Sequence, residues 1–356
     1  MRLAVDVMGG DHAPDAILKG CVDGLAALGA DDRLLLVGPP DTIEEILRER
    51  GVADARLEIV PALETIGMDE SPVEAVRLKK DSSIVKMCAL AGRRAEHPVD
   101  AVISAGNTGA CVSAATMQMR RLRGVHRPGI AVTVPSFHGP IVLCDAGANP
   151  EPRAVHLMQY AIMAEVYAAK SLGIASPRVA LLNIGAEEAK GTKMVKQVRD
   201  LLRAVPGLNF QGYIEARDLF DGVADVIVTD GFVGNTALKL AEGLARSLVT
   251  AVFQQIMEHD PTLALQLEPA AKAIFTRNDY HEYGGAPLLG VNGVCVICHG
   301  SSEPKTIASA IRNTREYVAR HVNDEIVHRL AEVTPIIEPH LAALGEAEPA
   351  AADSAA

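Results

Sequence analysis

The sequence predicts an α/β protein: a mainly parallel sheet covered by helices on both faces, with one projecting helical hairpin. Short apolar runs alternate with helical patterns along almost the whole chain. Twice, an apolar run meets the same glycine-spaced turn and passes at once into a helix. The first copy is Asp-Ala-Val-Ile-Ser-Ala-Gly-Asn-Thr-Gly, from Asp100 to Gly109; the second is Asp-Val-Ile-Val-Thr-Asp-Gly-Phe-Val-Gly, from Asp225 to Gly234. Between Ala241 and Ile256 the alternation breaks, and apolar residues recur at steps of three and four, the mark of one long amphipathic helix.

The chain opens on a strand, Leu3–Val7, whose polar turn leads to a helix over Pro14–Leu28. The fixed φ of Pro14 suits a first helical position. Apolar runs place strands at Leu34–Val37 and Leu57–Val60, with a helix at Thr42–Arg50 between them. A helix over Ser83–Ala95 precedes the strand Ala101–Ser104, and the first GxxG turn starts the helix Gly109–Met119. Two strands follow in succession, Ile130–Val134 and Ile141–Cys144, then the helix Arg153–Leu172, the strand Val179–Ile184 and the helix Thr192–Ala204. The strand Val226–Thr229 runs through the second GxxG turn into a helix over Asn235–Glu258. Its stripe is Ala241, Leu244, Ala245, Leu248, Val249, Val252, Phe253 and Ile256, with Arg246, Thr250 and Gln254 off it. His259-Asp260-Pro261 breaks that helix, and a second helical pattern runs to Ile274 and Phe275, giving a hairpin over 235–275. A last strand, Val294–Cys298, and a helix, Lys305–Val322, follow. No Pro/Ser-rich linker divides the chain, so residues 1–340 read as one domain, and the Ala- and Glu-rich stretch 341–356 reads as a disordered tail.

Composition narrows the function. With 49% hydrophobic and 22% charged residues the chain can fill a large core. A net charge of −11 argues against nucleic acid, whose binding draws on clustered Lys and Arg. Arg120, Arg121, Arg123, His126 and Arg127 nevertheless form one basic run. Met1-Arg2 leads straight into a strand, and no apolar stretch is long enough to span a bilayer. Six cysteines are too sparse for a disulfide scaffold, which points to the cytoplasm. Cys295-Val-Ile-Cys298-His299 matches the haem-attachment pattern C-x-x-C-H. Its cysteines fall in an apolar strand, where residues three apart point to opposite faces, so neither haem nor a metal is expected.

Polar turns follow several strands, where open α/β sheets bind ligands. Asp6, Gly9, Gly10, Asp11 and His12 end the first strand; the alternative reading is a tight turn with Asp11 capping the next helix. Ser104, Gly106, Asn107, Thr108 and Gly109 form the first GxxG turn, and Asp230, Gly231, Gly234 and Asn235 the second. Such a turn aims backbone N–H groups and a helix dipole at one spot, suiting phosphate, or else is simply a tight βα connection. Asp145 and Asn149 end a further strand; Asn183, Gly185, Glu187 and Lys190 another; His299, Ser301 and Ser302 the last. Lys190 is the candidate cation for phosphate or a developing oxyanion, or a solvated residue at a helix start. Ser301 beside His299 invites a nucleophile–base reading, but G-x-S-x-G is absent. GxGxxG and GxxxxGK[ST] are absent too, so NAD and ATP lack their usual signatures.

Seven segments, DxMGGDxxP, SAGNTGA, DAGAN, LLNIGxE followed by KG, DGFxGNxxLK, GGAPLLG and CHGSS, stand in this order from Leu3 to Val322. In them the chain resembles the bacterial phosphate acyltransferases of phospholipid synthesis. The resemblance implies a Rossmann-like α/β/α sandwich and a homodimer that touches the membrane peripherally, at the inner face of the plasma membrane. It implies conversion of acyl-[acyl carrier protein] and inorganic phosphate into acyl phosphate and free carrier protein, without a cofactor. The product would pass to a membrane glycerol-3-phosphate acyltransferase. On this reading Lys190, Asn235 and His299 are the catalytic candidates. Phosphate attacking a thioester needs the dianion near the carbonyl carbon and donors aimed at the oxyanion. A phosphate acetyltransferase-like enzyme using acyl-CoA, a decarboxylating dehydrogenase of similar architecture and a non-catalytic membrane adaptor are the other readings.

Two surfaces complete the expectations. Arg120, Arg121, Arg123 and Arg127 offer an acidic carrier protein a positive face on an acidic enzyme. The hairpin stripe would pair two copies by two-fold symmetry, leaving Leu263, Leu265 and Leu267 at its tip as a membrane contact.

Overall fold

A computed structural model describes residues 1–263, 266–267, 269 and 283–345. Eleven strands form one continuous sheet in the order β3-β2-β1-β4-β11-β10-β5-β6-β9-β7-β8. The first half comprises β1 (Arg2–Asp6), β2 (Arg33–Gly38), β3 (Leu57–Pro61), β4 (Ala101–Ser104) and β11 (Val294–Ile297), all parallel. The second comprises β6 (Ile141–Cys144), β7 (Val179–Leu182), β8 (Phe210–Ile214) and β9 (Val226–Val228), also parallel. Between them lie β5 (Gly129–Val134) and β10 (Ala286–Leu289), and the pairings β11–β10, β10–β5 and β5–β6 are antiparallel. Three reversals make the two half-sheets run in opposite directions.

Strands buried on both faces need helices on both sides. On one side Leu3, Val5 and Val7 pack with α1 (Asp15–Gly24), α6 (Ala154–Ser171), α7 (Lys193–Ala204), α9 (Pro304–Ala319) and α10 (Val322–Leu344). On the other, Ala4, Leu35 and Val102 pack with α3 (Pro72–Leu78), α4 (Ser83–Leu90) and α5 (Thr108–Gln118). The helix α2 (Pro40–Glu49) links β2 to β3. Cys295 faces one cluster and Cys298 the other, both buried, so the C-x-x-C-H segment holds its cysteines apart, as expected for a strand.

Four elements were not expected from the sequence. In β8 the positive φ of Gly212 and a register shift opposite Val179/Ala180 break the alternation. In β10, Pro287 cannot donate to a ladder and argues against a central strand, yet it pairs with Val296. Pro335 and Pro339 lie inside α10 and read in sequence as breakers; the helix continues to Leu344, four residues into the expected tail. The short α3 starts on Pro72 at its first turn. The long helix α8 spans Gly231–His259 and starts four residues before Asn235, because the Asp230 carboxylate caps it by accepting from the Val233 N–H at 2.8 Å. Leu265 and most of the hairpin's returning arm, including 270–275, and the tail beyond Gly345 lie outside the described residues.

Candidate active site

Three turns of the first half-sheet meet at the carboxyl ends of β1, β4 and β11. Ser104 Oγ donates to Asp6 Oδ2 at 2.7 Å and accepts from the Gly106 N–H at 3.0 Å. Asp6 Oδ1 accepts from the Met8 N–H at 3.1 Å. A Cβ on Gly9 would lie 2.4 Å from Asp6 Oδ2 and 2.6 Å from the Gly106 nitrogen, so only glycine lets these two turns touch. The Asp11 N–H donates to the Gly300 carbonyl at 2.7 Å, tying the β1 turn to the β11 turn.

Asn107 caps α5, accepting from the Ala110 N–H at 3.0 Å, and its amide donates to the carbonyls of Gly67, Met68 and Glu70. The Asn107 side chain is therefore committed to a loop, while exposed Thr108 and neighbouring Gly109 carry the amides of the helix's open first turn. Asp6 and Ser104 are each 1% exposed. They hold the cradle together and do not line it.

Burial without an ion pair pushes the Asp6 carboxyl up to about 6. Its neutral form is favoured in the fold, so this contribution to stability is present below about 3.8 and is lost as pH rises to about 6. Asp6→Asn, which stays neutral, should gain on the parent by at most about 3 kcal/mol between pH ~4 and ~6, then run parallel to it. Thermal melts of both proteins against pH check this; a constant difference across that window contradicts it.

The second half-sheet builds a matching cradle from β6 and β9. Asp145 accepts from the N–H groups of Ile130, Ala148 and Asn149, at 2.9, 3.1 and 2.6 Å, and from the Asn149 amide at 3.2 Å. It is wholly buried and serves as the organiser of this turn. A Cβ on Gly234 would sit 2.0 Å from the Asp145 carbonyl oxygen, and one on Gly231 2.8 Å from both Asn149 O and Asp145 Oδ2. In this copy of GxxG both glycines lie inside the helix, whereas in the first copy Gly106 precedes the cap. The two motifs share spacing but not register.

The halves are joined through α8. Asn235 lies beside Gly147 of the β6 turn, and Lys239, one turn on, presents the same helix face. Lys239 Nζ is 2.5 Å from His299 Nε2, and His299 Nδ1 is 2.8 Å from Ser301 Oγ. Ser302 Oγ, in the same turn, is buried with no hydrogen-bond partner among the described residues.

The structure thus links Gly9 to Gly106, Asp11 to Gly300, and His299, with Ser301 beside it, to Lys239 one turn beyond Asn235. Asn183, Gly185, Glu187 and Lys190 form a separate turn on β7, where the Asn183 amide donates to the Gly185 carbonyl at 2.9 Å. Six ladder steps separate β7 from β4, on the order of 29 Å along the sheet. Among the described residues no hydrogen bond or ion pair joins Lys190 to the Gly106–Gly109 turn. Lys239 was missed from the sequence although it stands in DGFxGNxxLK, because nothing in the pattern shows that α8 reaches the β11 turn.

Arg120 and Arg121 lie at the far end of α5 from Asn107, about 16 Å along an 11-residue helix. With Arg93 and Arg94 they line a groove of about 2230 Å³ that includes Leu90 and Met117. Arg123 and Arg127 are exposed nearby but do not line it.

The fold defines the class: a two-halved, Rossmann-like α/β/α sandwich similar in fold to phosphotransacetylases. The chain resembles a phosphotransacetylase from Streptococcus pyogenes with a TM-score of 0.60, over 89% of this chain and 94% of that one, at 16% identity. A branched-chain phosphotransacylase from Enterococcus faecalis V583 gives 0.54 at 14% identity, over 90% and 100%; both are likenesses of fold alone. Residues 1–325 match the family described as "Fatty acid synthesis protein". The chain is 48% identical over 324 residues to the phosphate acyltransferase of Heliobacterium modesticaldum, covering 90% of this chain and 95% of that one. To that of Desulfitobacterium hafniense (strain DSM 10664 / DCB-2) it is 44% identical over 337 residues, covering 94% and 99%. The chain belongs to the phosphate acyltransferase family, a family of acyltransferases.

Proposed function

We propose that the protein transfers a fatty acyl group from acyl-[acyl carrier protein] to inorganic phosphate, giving acyl phosphate for a membrane glycerol-3-phosphate acyltransferase. The relatives' name supports phosphate as acceptor. The observation that carries the reading is the contact between Lys239 of one half and His299 of the other, beside the glycine turns. A cation, an imidazole, hydroxyls and open backbone amides are the groups that phosphate attack on a thioester requires. The assay is phosphate-dependent release of carrier-protein thiol from palmitoyl-carrier protein, with acetyl-CoA as the control donor. Release without phosphate dependence, or only from acetyl-CoA, rejects the proposal.

Attack by phosphate is direct on this reading: every cysteine is buried, and Ser301, although 2.8 Å from His299 Nδ1, stands outside any G-x-S-x-G elbow. Intact-mass spectrometry of enzyme quenched with acyl-carrier protein, phosphate omitted, should therefore show unmodified protein. A stoichiometric acyl adduct would refute direct transfer.

The carrier docks, we propose, on the arginine face. No ion pair among the described residues engages Arg93, Arg94, Arg120, Arg121, Arg123 or Arg127; Arg121 donates to the His126 carbonyl, and the face as a whole can meet an acidic partner. Reversing Arg121 and Arg123 to Glu should raise the apparent KM for the carrier substrate roughly tenfold at low salt and flatten its salt dependence. An unchanged salt response would move docking to another face. The hairpin, in the same proposal, pairs two copies and holds Leu263 and Leu267, exposed in the single chain, against a bilayer. Among the described residues no helix is long and apolar enough to cross a membrane.

A further inference from the structure

We propose that Lys239 is the cation that holds the acceptor phosphate, with His299 as its positioning residue; this rests on the acyl-transfer reading above. Lys239 Nζ stands where the two halves meet, 2.5 Å from His299 Nε2 on the β11 turn. Its second partner, Glu242 Oε2 at 3.2 Å, lies on its own helix. Asn235 shares its helix face four residues earlier, next to the β6 turn at Gly147. On the other side His299 reaches Ser301 Oγ at 2.8 Å, and the buried, unpartnered Ser302 Oγ follows.

The Lys239 side chain remains 46% exposed, so an anion can reach it from the cleft. Lys190, the cation expected from the sequence, sits on the β7 turn with no link to this cluster among the described residues. Lys239 combines a flexible ammonium with donors contributed by both half-sheets.

The step balances without further reagents. An oxygen of hydrogen phosphate, its charge held by the Lys239 ammonium and the Asn235 amide, attacks the thioester carbonyl carbon. The C–O bond forms, the C–S bond breaks, and the proton of the hydrogen phosphate ends on the departing thiolate sulfur. His299, whose Nδ1 is 2.8 Å from Ser301 Oγ, accepts from the Lys239 ammonium at Nε2 and so fixes the lysine.

Steady-state kinetics with phosphate varied at saturating acyl-carrier protein test the assignment. Lys239→Ala should lower kcat/KM for phosphate by roughly a hundredfold to a thousandfold, the loss seen when a preorganised charge-stabilising donor is removed. The KM for the carrier substrate should stay the same, and Lys239→Arg should recover part of the loss. His299→Ala should also lower kcat and should move its pH dependence. A second readout is independent of turnover: inorganic phosphate should raise the thermal midpoint of the parent but not of Lys239→Ala or Lys239→Gln. A Lys239→Ala protein within about threefold of the parent in kcat/KM for phosphate, or one still stabilised by phosphate, overturns the assignment. So does a phosphate defect in Lys190→Ala with none in Lys239→Ala. If the parent itself releases no thiol with phosphate, the acyl-transfer reading falls instead.

Discussion

Replacing Asp145 by alanine is expected to lower the thermal midpoint by on the order of 10 °C and to abolish turnover with it. The carboxylate accepts from three backbone N–H groups and one side-chain amide in a site with no access to water. Alanine takes the acceptor from the buried Ile130 and Asn149 N–H groups and the half-buried Ala148 N–H, at roughly 1–3 kcal/mol each, while the Asn149 amide keeps the Pro128 carbonyl. The sum is a large part of the 5–15 kcal/mol that holds an ordinary domain folded. Burial raises the Asp145 pKa, yet the four donors act against that rise, so the charge and its network stand or fall together. The effect should reach the site, because Asn149 and the packing of Gly231 and Gly234 fix the start of α8, and α8 carries Asn235 and Lys239. Calorimetry of Asp145→Ala decides the matter. A midpoint within a few degrees of the parent would mean that water or a shifted loop satisfies these amides, and that Asp145 does not organise the turn.

Replacing Leu244 and Leu248 by glutamate is expected to halve the mass of the protein in solution. Leu240, Leu244, Leu248 and Val252 recur every four residues along one line of α8, and each is at least 54% exposed in the single chain. At the base of the helix Ala237 and Leu238 pack against the second half-sheet. A continuous apolar line on a projecting helix is a surface that another protein covers, and a second copy supplies an identical one. Burying four such side chains on each copy gives a gross gain on the order of 10 kcal/mol before the cost of association. Four buried carboxylates across a two-fold axis would remove it. Sedimentation velocity at micromolar protein reads the outcome, with liposome co-sedimentation of Leu263→Glu/Leu267→Glu as the companion experiment. The tip variant should remain dimeric and lose the liposomes. A parent that is already a monomer, or a stripe variant that stays dimeric, would show that α8 is not the interface.

Much of the fold was legible because burial on both faces writes itself into short apolar runs. The strands around Val5, Val102, Leu143, Leu181 and Val296 were each readable from a few residues, and their polar ends marked the turns. The places where reading failed are those where tertiary contact overrides a local rule. Pro287 sits in a central strand and Pro335 and Pro339 inside a helix, because packing against neighbours outweighs a lost N–H. The candidate site was legible as chemistry but not as geometry. Asp6, Ser104 and Asp145 lie buried at the bases of these turns, and nothing in a strand-end motif tells a ligand from a buried staple.

Sequence by itself determined the α/β class, the ordered glycine turns, the isolation of Cys295 from Cys298 and the amphipathic stripe of α8. All of these follow from local periodicity and from the steric needs of a turn, which neighbouring residues settle among themselves. Only the tertiary structure decided which polar ends share a cleft. Lys239 and His299 are 60 residues apart and meet because three antiparallel pairings reverse the second half-sheet and a 29-residue helix crosses back to the first. Lys190, with equal chemical promise in the sequence, lies in the turn that ends β7, a strand beside β9 but six ladder steps from β4. Strand order is fixed by long-range pairing and packing, and no local pattern encodes it.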